Sequence, residues 1–401
     1  MTPTIAWVVN RLDSVGGGER LLQEGVAHFR SLGYRVLVCT WFYGEKATFN
    51  GRYPTFDVIE LKTDEVPRSD ILSRGLSRAK TLGKLRRVLR DNKVTTVFVQ
   101  GEYDVALVYL ATLFTRIAYR FLIFGQIYQY PHDNAKYSRI FRKHLLKIVF
   151  SRPGYRETIP LQPPPLTLKN RLANELICAI RWLAVRKAEK RFSFSRQVQW
   201  ETQLLFGCST ELAQGAFPRA LIEQTLFGTT ALERYGLKSG HYVLSVSRLD
   251  RKKRIDLIID GFAASGSDQV LVIGGEGPDE PLLRRHAAAS NAADRIIFAG
   301  MISDNDMIDL KHHASLFVSM DIGDYDISPL EALAVGTPVL CPTDFDADSK
   351  LTSMPGFVQT APDAAAVAEE IRRITAEPPR VDRSALAPWT WSSYFDHLMS
   401  R

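Results

Sequence analysis

A chain of 401 residues exceeds what one hydrophobic core usually supports, so its length predicts two domains. Its 45% hydrophobic and 24% charged residues are ordinary for a globular protein and argue against a disordered chain. The net charge of +7 is unevenly spread: residues 136–196 hold 15 Lys and Arg against Glu157, Glu175 and Glu189, and the rest of the chain is mildly acidic. Such a segment is either a plain solvated face or a surface that attracts nucleic acid, a phosphorylated substrate or an anionic membrane.

The chain enters the apolar run 5–9 without the basic leader of a signal peptide. Cys39, Cys178, Cys208 and Cys341 lie far apart, with no CxxC pair and no zinc-like spacing. Together these features predict a cytoplasmic protein with reduced thiols. The longest apolar stretch, 105–130, is interrupted by Arg116 and Arg120, which would be costly inside a membrane span, so a buried helix followed by a strand is expected. Strands over 5–9, 35–40 and 95–99 alternate with helices over 19–32 and 77–91, the pattern of a Rossmann-like domain with parallel strands. Gly16, Gly17 and Gly18 open the first of these helices, where the backbone can approach an anion or a sugar hydroxyl; a tight turn is the plainer alternative. Pro153, Pro160 and the run Pro163, Pro164, Pro165 mark an irregular excursion. The helix expected next, 169–191, aligns Leu172, Leu176, Ile180 and Leu183 on one stripe among basic residues.

A second alternating series follows, with strands over 242–246, 269–273, 296–298, 315–319 and 338–341 and helices between them. It predicts a second Rossmann-like domain, and two such domains facing a cleft would place ligands outside the carboxyl ends of both sheets. Arg248 lies just beyond the first strand of this series and Lys253 near the start of the next helix, where two cations suit a diphosphate leaving group. Arg251, Lys252 and Arg254 could equally be solvated. Gly274, Gly275 and Gly277 in GGEGPDEP leave backbone donors unobstructed, or simply turn the chain. The segment DIGDYDISPLEA brings Asp321, Asp324, Asp326 and Glu331 around a turn that leads into a helix; Glu331 is expected in its first turn, where a carboxylate either favours the dipole or reaches a ribose. The fingerprint GxGxxG is absent from both halves, which disfavours a nicotinamide oxidoreductase, and no nucleic-acid-binding module is recognisable.

The motifs RLxxxK (Arg248 to Lys253), GxGP (Gly275 to Pro278), FxG (Phe298 to Gly300) and PLEAxAxGxPV (Pro329 to Val339) resemble family 4 of the retaining glycosyltransferases in order and spacing. GGGER near the N-terminus is similar to that family's GGxER loop, and Trp391 to the aromatic of its closing helix; the resemblance covers 61–197 poorly. It implies a GT-B architecture: an acceptor-side domain over 1–228, a nucleotide-sugar domain over 229–388, and a final helix, 389–401, packed back on the first domain. It also implies that no metal or other cofactor is needed. Arg248 and Lys253 would contact the donor diphosphate, Ser328 and Glu331 the donor with Glu331 on its ribose, Gly300 and Met301 would lie beside the base, and Gly17 and Gly18 would approach the diphosphate or the sugar. Gly275 and Gly277 belong to the same donor set. Two positions depart from the family. Gly323 stands where a first glutamate is usual, leaving Asp324 as the candidate substitute, with Asp326 expected to narrow the pocket and change sugar choice. A histidine expected near Gln129 is absent there, leaving His132 nearby.

The leading expectation is an enzyme that attaches a hexose or deoxyhexose to a glycan or lipid-linked acceptor for cell-surface polysaccharide, at the cytoplasmic membrane face, with the basic segment touching anionic lipid. The alternatives are a nucleotide-sugar epimerase of the same architecture, and a non-catalytic nucleotide-sugar-binding or partner subunit.

Overall fold

The computed structural model describes residues 3–12, 17–44, 57–62, 71–123, 134–151, 166–322, 325–344 and 349–400. Two compact units divide the chain, and each is built on one parallel sheet.

The first unit carries seven strands: β1 (Thr4–Leu12), β2 (Arg35–Tyr43), β3 (Asp57–Glu60), β4 (Val94–Gln100), β5 (Ala118–Ile123), β6 (Lys190–Ser193) and β7 (Glu211–Leu212). Their order is β3-β2-β1-β4-β5-β6-β7, so the sheet grows outward in both directions from β1, the doubly wound topology. β1 is buried over Thr4–Val9 because its apolar run is covered on both faces, as parallel strands require. Trp7 packs its ring at a tilt against Phe29 and Phe98, with centroids 6.3 and 5.4 Å away, and donates its indole Nε1–H to Gln100 Oε1 at 3.2 Å.

The helix expected over 169–191 runs instead over Leu168–Lys187. Thr167 caps its start by accepting from the Asn170 amide, and Ala188 leaves it in an extended conformation. Arg191 then donates to the carbonyls of Val185, Arg186 and Ala188, satisfying the exposed end of the helix while its own strand, β6, joins the sheet. The buried face of this helix holds Cys178, Arg181, Ala184 and Val185, whereas Leu168, Leu172 and Leu176 face outward. The apolar stripe read from the sequence is therefore exposed along its first half. Several cations of the basic segment are committed internally: Lys136 and Arg181 are buried, and Arg186 donates to the carbonyls of Phe206 and Gly207.

The second unit carries β8 (Tyr242–Val246), β9 (Val270–Gly274), β10 (Ile296–Gly300), β11 (Leu316–Val318), β12 (Val339–Pro342) and β13 (Phe357–Thr360), in the order β10-β9-β8-β11-β12-β13. Two separate hydrophobic clusters form its core. One gathers Tyr242, Phe317, Leu330 and Val339; the other gathers Val243, Ile258, Phe262 and Val318, with Ile371 from the helix Ala364–Ala376. Gly261 allows that helix close approach, since a Cβ there would lie 2.4 Å from Val367 Cγ1.

The units divide at Gln214/Gly215 and Tyr394/Phe395, whereas the sequence placed the divisions at 228/229 and 388/389. The difference at the first division has a packing cause. Ala216 and Phe217 are fully buried in the second unit's core, and Ala216 donates its amide to the Trp389 carbonyl at 2.9 Å. The closing helix, Trp391–Met399, contributes Trp391 and Tyr394 to the second unit. Phe395 belongs to the first, where its ring lies 6.3 Å from Trp7 and 5.6 Å from Phe29.

Candidate functional site

In an open α/β sheet, ligands bind outside the carboxyl ends of the strands where the order reverses. That reversal lies between β8 and β11 in the second unit, and the loops after β8, β9, β10 and β11 carry most of the sequence-derived donor residues.

After β8 the chain makes a short 3-10 turn, Arg251–Lys253, because Asp250 caps it by accepting from the Lys252 amide at 3.1 Å. Arg248 precedes the turn with its side chain 72% exposed, and its nearest carboxylate, Asp250, is 3.9 Å away. Lys253 ends the turn and forms an ion pair with Asp321, a buried residue of the loop after β11. The two loops are also joined through the backbone, since the Ile322 amide donates to the Lys252 carbonyl at 2.9 Å. Arg254, in the left-handed region at φ 47°, is not solvated: its guanidinium forks onto Asp344 at 3.4 and 3.1 Å.

The loop after β9 lies directly on the loop after β8. Gly275, at φ +110°, passes so close that a Cβ would sit 1.9 Å from the Ser247 carbonyl oxygen, and at Gly277 it would sit 2.2 Å from that of Leu249. The Leu249 amide donates to the Glu276 carbonyl, and the Asp279 amide donates to that of Leu249. These two glycines are thus required by contact between neighbouring loops. Gly300, at φ +65°, ends β10 and accepts from the Gly275 amide at 2.7 Å, and Met301 beside it is exposed.

Beyond β11, Asp326 caps the helix Ile327–Ala334: one carboxylate oxygen accepts from the Ser328 amide at 3.1 Å and the other from Ser319 Oγ at 3.0 Å. Both oxygens are therefore engaged in holding the turn. Glu331 falls beyond the first turn expected for it, on a buried side of this helix, and pairs with Lys311 Nζ at 2.5 Å. Nothing in the local sequence pattern pointed to Lys311. Cys341 lies below, and burial together with the charges of Asp326 and Asp321 holds its thiol protonated. Gly323 and Asp324 lie outside the described residues.

In the first unit, Gly17 and Gly18 open the helix Gly17–Ser31. Gly18 is tied to the core, since a Cβ there would meet Gln100 Nε2 at 2.9 Å and its carbonyl accepts from that nitrogen; Gly17 has open space around it. Gly16, Gln129 and His132 lie outside the described residues. All four cysteines are free, and among the described residues no group of three or more His, Cys, Asp or Glu is placed to hold a metal ion.

Residues 232–385, which include every one of these second-unit loops, match the family Glycosyl transferases group 1. The mannosylfructose-phosphate synthase of Agrobacterium fabrum is 32% identical over 120 residues, covering 27% of this chain and 26% of that protein. The alpha-monoglucosyldiacylglycerol synthase of Streptococcus pneumoniae is 32% identical over 112 residues, covering 27% of this chain and 25% of that protein. Each match thus spans about a quarter of the relative's length. Among solved structures, Anabaena HepE in complex with UDP superposes with a TM-score of 0.68 at 14% identity, covering 98% of both chains, which shows a shared fold. The fold is that of the two-domain, parallel-sheet glycosyltransferases, and residues 232–385 form a glycosyl transferases group 1 domain.

Proposed function

We propose that this protein transfers a sugar from a nucleotide-sugar donor bound by its second unit, without a metal ion and with retention at the anomeric carbon. The observation that carries this reading is the family match over 232–385 together with Arg248 and Lys253 on the one loop after β8, at the topological switch point. In such a transfer the glycosidic C–O bond to the diphosphate breaks, and charge accumulates on the departing oxygen. Arg248, exposed and only loosely engaged, is free to fold over that group; Lys253, oriented by Asp321, supplies a second positive charge. Glu331 and Ser328 belong to the ribose side, and Met301 to the base. The sugar is a hexose or deoxyhexose, and the acceptor a glycan or lipid-linked glycan of the cell surface.

Peripheral contact with an anionic membrane is part of this proposal. Leu168, Leu172 and Leu176 are exposed at i, i+4, i+8 spacing, beside exposed Lys169 and Arg171. In the same unit, Leu146 and Phe150 are exposed on the neighbouring segment with Arg142, Lys143 and Lys147. No described helix is long and apolar enough to cross a membrane. The test is release of nucleoside diphosphate from a panel of nucleotide-sugars with and without lipid-linked acceptors. Acceptor-dependent release with retained anomeric configuration supports the proposal. Donor binding without release favours a non-catalytic subunit, and sugar epimerisation without transfer favours an epimerase.

A further inference from the structure

The first unit holds a half-open cavity of about 510 Å³ at the carboxyl ends of β1 and β2, lined by the helices Ile71–Asp91, Glu102–Thr112 and Leu168–Lys187. Its wall is largely apolar: Trp41, Leu82, Leu107, Leu110, Ile177 and Ile180. Two charged residues, Asp104 and Arg181, also line it, and both are almost wholly shielded from solvent, at 2% and 3% exposure. Asp104 Oδ1 accepts from Asn10 Nδ2 at a long 3.4 Å, whereas Oδ2 is buried and, among the described residues, accepts no hydrogen bond. A buried acceptor left in that state is costly, and native proteins rarely keep one without a use.

The requirements on an occupant follow from these groups. It must be apolar over most of its surface and must donate a hydrogen bond to Asp104. An added cation would be opposed by Arg181, and an anion by Asp104 itself. The hydroxyl of an uncharged aliphatic molecule meets all of these conditions. The helix also offers a row of apolar side chains, Leu168, Leu172, Leu176 and Ile180, that begins on the exposed surface and ends in the cavity wall. We infer that this cavity binds an aliphatic alcohol, the chain lying against Leu107, Leu110 and Ile180 and the hydroxyl donating to Asp104 Oδ2. Burial pushes the Asp104 carboxyl up to about 7, so near neutrality the group exchanges between charged and neutral forms, and in both it retains an oxygen able to accept. The binding stands apart from sugar transfer; only the further step, that the occupant is the aliphatic end of the acceptor, rests on the transfer reading.

The test titrates the full chain with 1-octanol and with its isomer heptyl methyl ether, which matches it in composition and lacks the donor, using saturation-transfer NMR. Octanol is expected to bind about tenfold or more tightly than the ether, the usual scale of losing a partner at a buried acceptor. Asp104→Leu should reduce that preference to near unity while the ether still binds. Leu107→Trp should abolish binding of both, with a thermal melt confirming the fold, and Ile180→Phe serves if the larger ring is not accommodated. Equal affinity of alcohol and ether for the wild type, a preference that survives Asp104→Leu, binding of octanoate as tight as that of octanol, or no binding at all to folded protein would each overturn the inference. Octanol binding in a chain that transfers no sugar would leave the cavity standing and remove the transfer reading; transfer without octanol binding would do the reverse.

Discussion

Lys311 Nζ meets Glu331 Oε2 at 2.5 Å inside the second unit, with the ammonium also lying 5.4 Å from the centre of the Phe317 ring. Both side chains are nearly closed to solvent, so the charge of each is tolerated because the other is there. Glu331→Ala strands the lysine and should cost about 3 kcal/mol or more, read as a lowered midpoint in urea. Glu331→Gln keeps a hydrogen-bond acceptor and should cost less. If Glu331 also holds the donor ribose, Glu331→Gln weakens nucleotide affinity by more than its loss of stability explains; unchanged affinity would remove it from the donor site.

Arg248 and Lys253 separate the same way, by what each leaves behind. Either one changed to Ala should lower transfer roughly 100-fold, the scale of one preorganised charge contact. Only Lys253→Ala should also lower the melting temperature, because it uncovers the buried carboxylate of Asp321. Near-normal turnover in both variants would remove the diphosphate role.

Asp326 serves the helix it caps. Asp326→Ala should destabilise the protein by about 1 kcal/mol, and Asp326→Asn by much less, since asparagine caps equally well. A large drop in transfer with Asp326→Asn at unchanged stability would mean that the carboxylate acts on the sugar as well. The parallel comparison, Asp324→Asn, tests whether the function missing at Gly323 has moved to the next residue; wild-type transfer by that variant would exclude it.

The pH dependence of stability should carry the mark of Asp104. Its carboxyl holds a proton more tightly in the folded protein, at about 7 against an ordinary value of 3.8, chiefly because of burial and despite the Asn10 hydrogen bond and the Arg181 charge. A raised carboxyl favours the folded state fully below about pH 4, and this contribution is lost as the pH climbs to about 7. Relative to wild type, Asp104→Asn should therefore gain stability between pH 5 and pH 8, on the order of a few kcal/mol, by chemical denaturation at each pH. Parallel profiles for the two proteins would show that the group is not buried in this way.

Replacing Leu172 and Leu176 with Gln should weaken sedimentation with anionic vesicles while leaving the melting temperature within about 1 °C, because surface substitutions away from packed features are nearly neutral. Equal recovery on neutral vesicles, or no response to salt, would count against membrane contact.

The second unit was legible in the sequence because each strand is a short apolar run bounded by turn residues, and β8 through β12 fall within about two residues of the runs read there. β6 was not legible: it is four residues long, begins with Lys190 and Arg191, and was absorbed into the helix before it. The positions of Arg248 and Lys253 could be read, but their partners could not. Asp321 lies 68 residues from Lys253, and no local pattern encodes that pairing. The same holds for Gly275 and Gly277, whose presence suggests a phosphate loop but whose cause is the backbone of Ser247 and Leu249. Apolar periodicity on the helix Leu168–Lys187 could be read, but its exposure could not: a stripe shows which face is apolar, not whether the protein or its surroundings cover it.

Phe395 packs against both Trp7 and Phe29, and Arg120 donates to the Leu398 carbonyl, so the first unit borrows its final pieces from residues that follow the second unit in sequence. During synthesis the N-terminal sheet emerges from the ribosome long before those residues do. Its central tryptophan must wait, partly uncovered, until the whole second unit has been translated. The interval makes the nascent first unit a natural client for chaperones, and a stop codon ahead of Phe395 would injure that unit, far away in sequence, rather than the second one just completed.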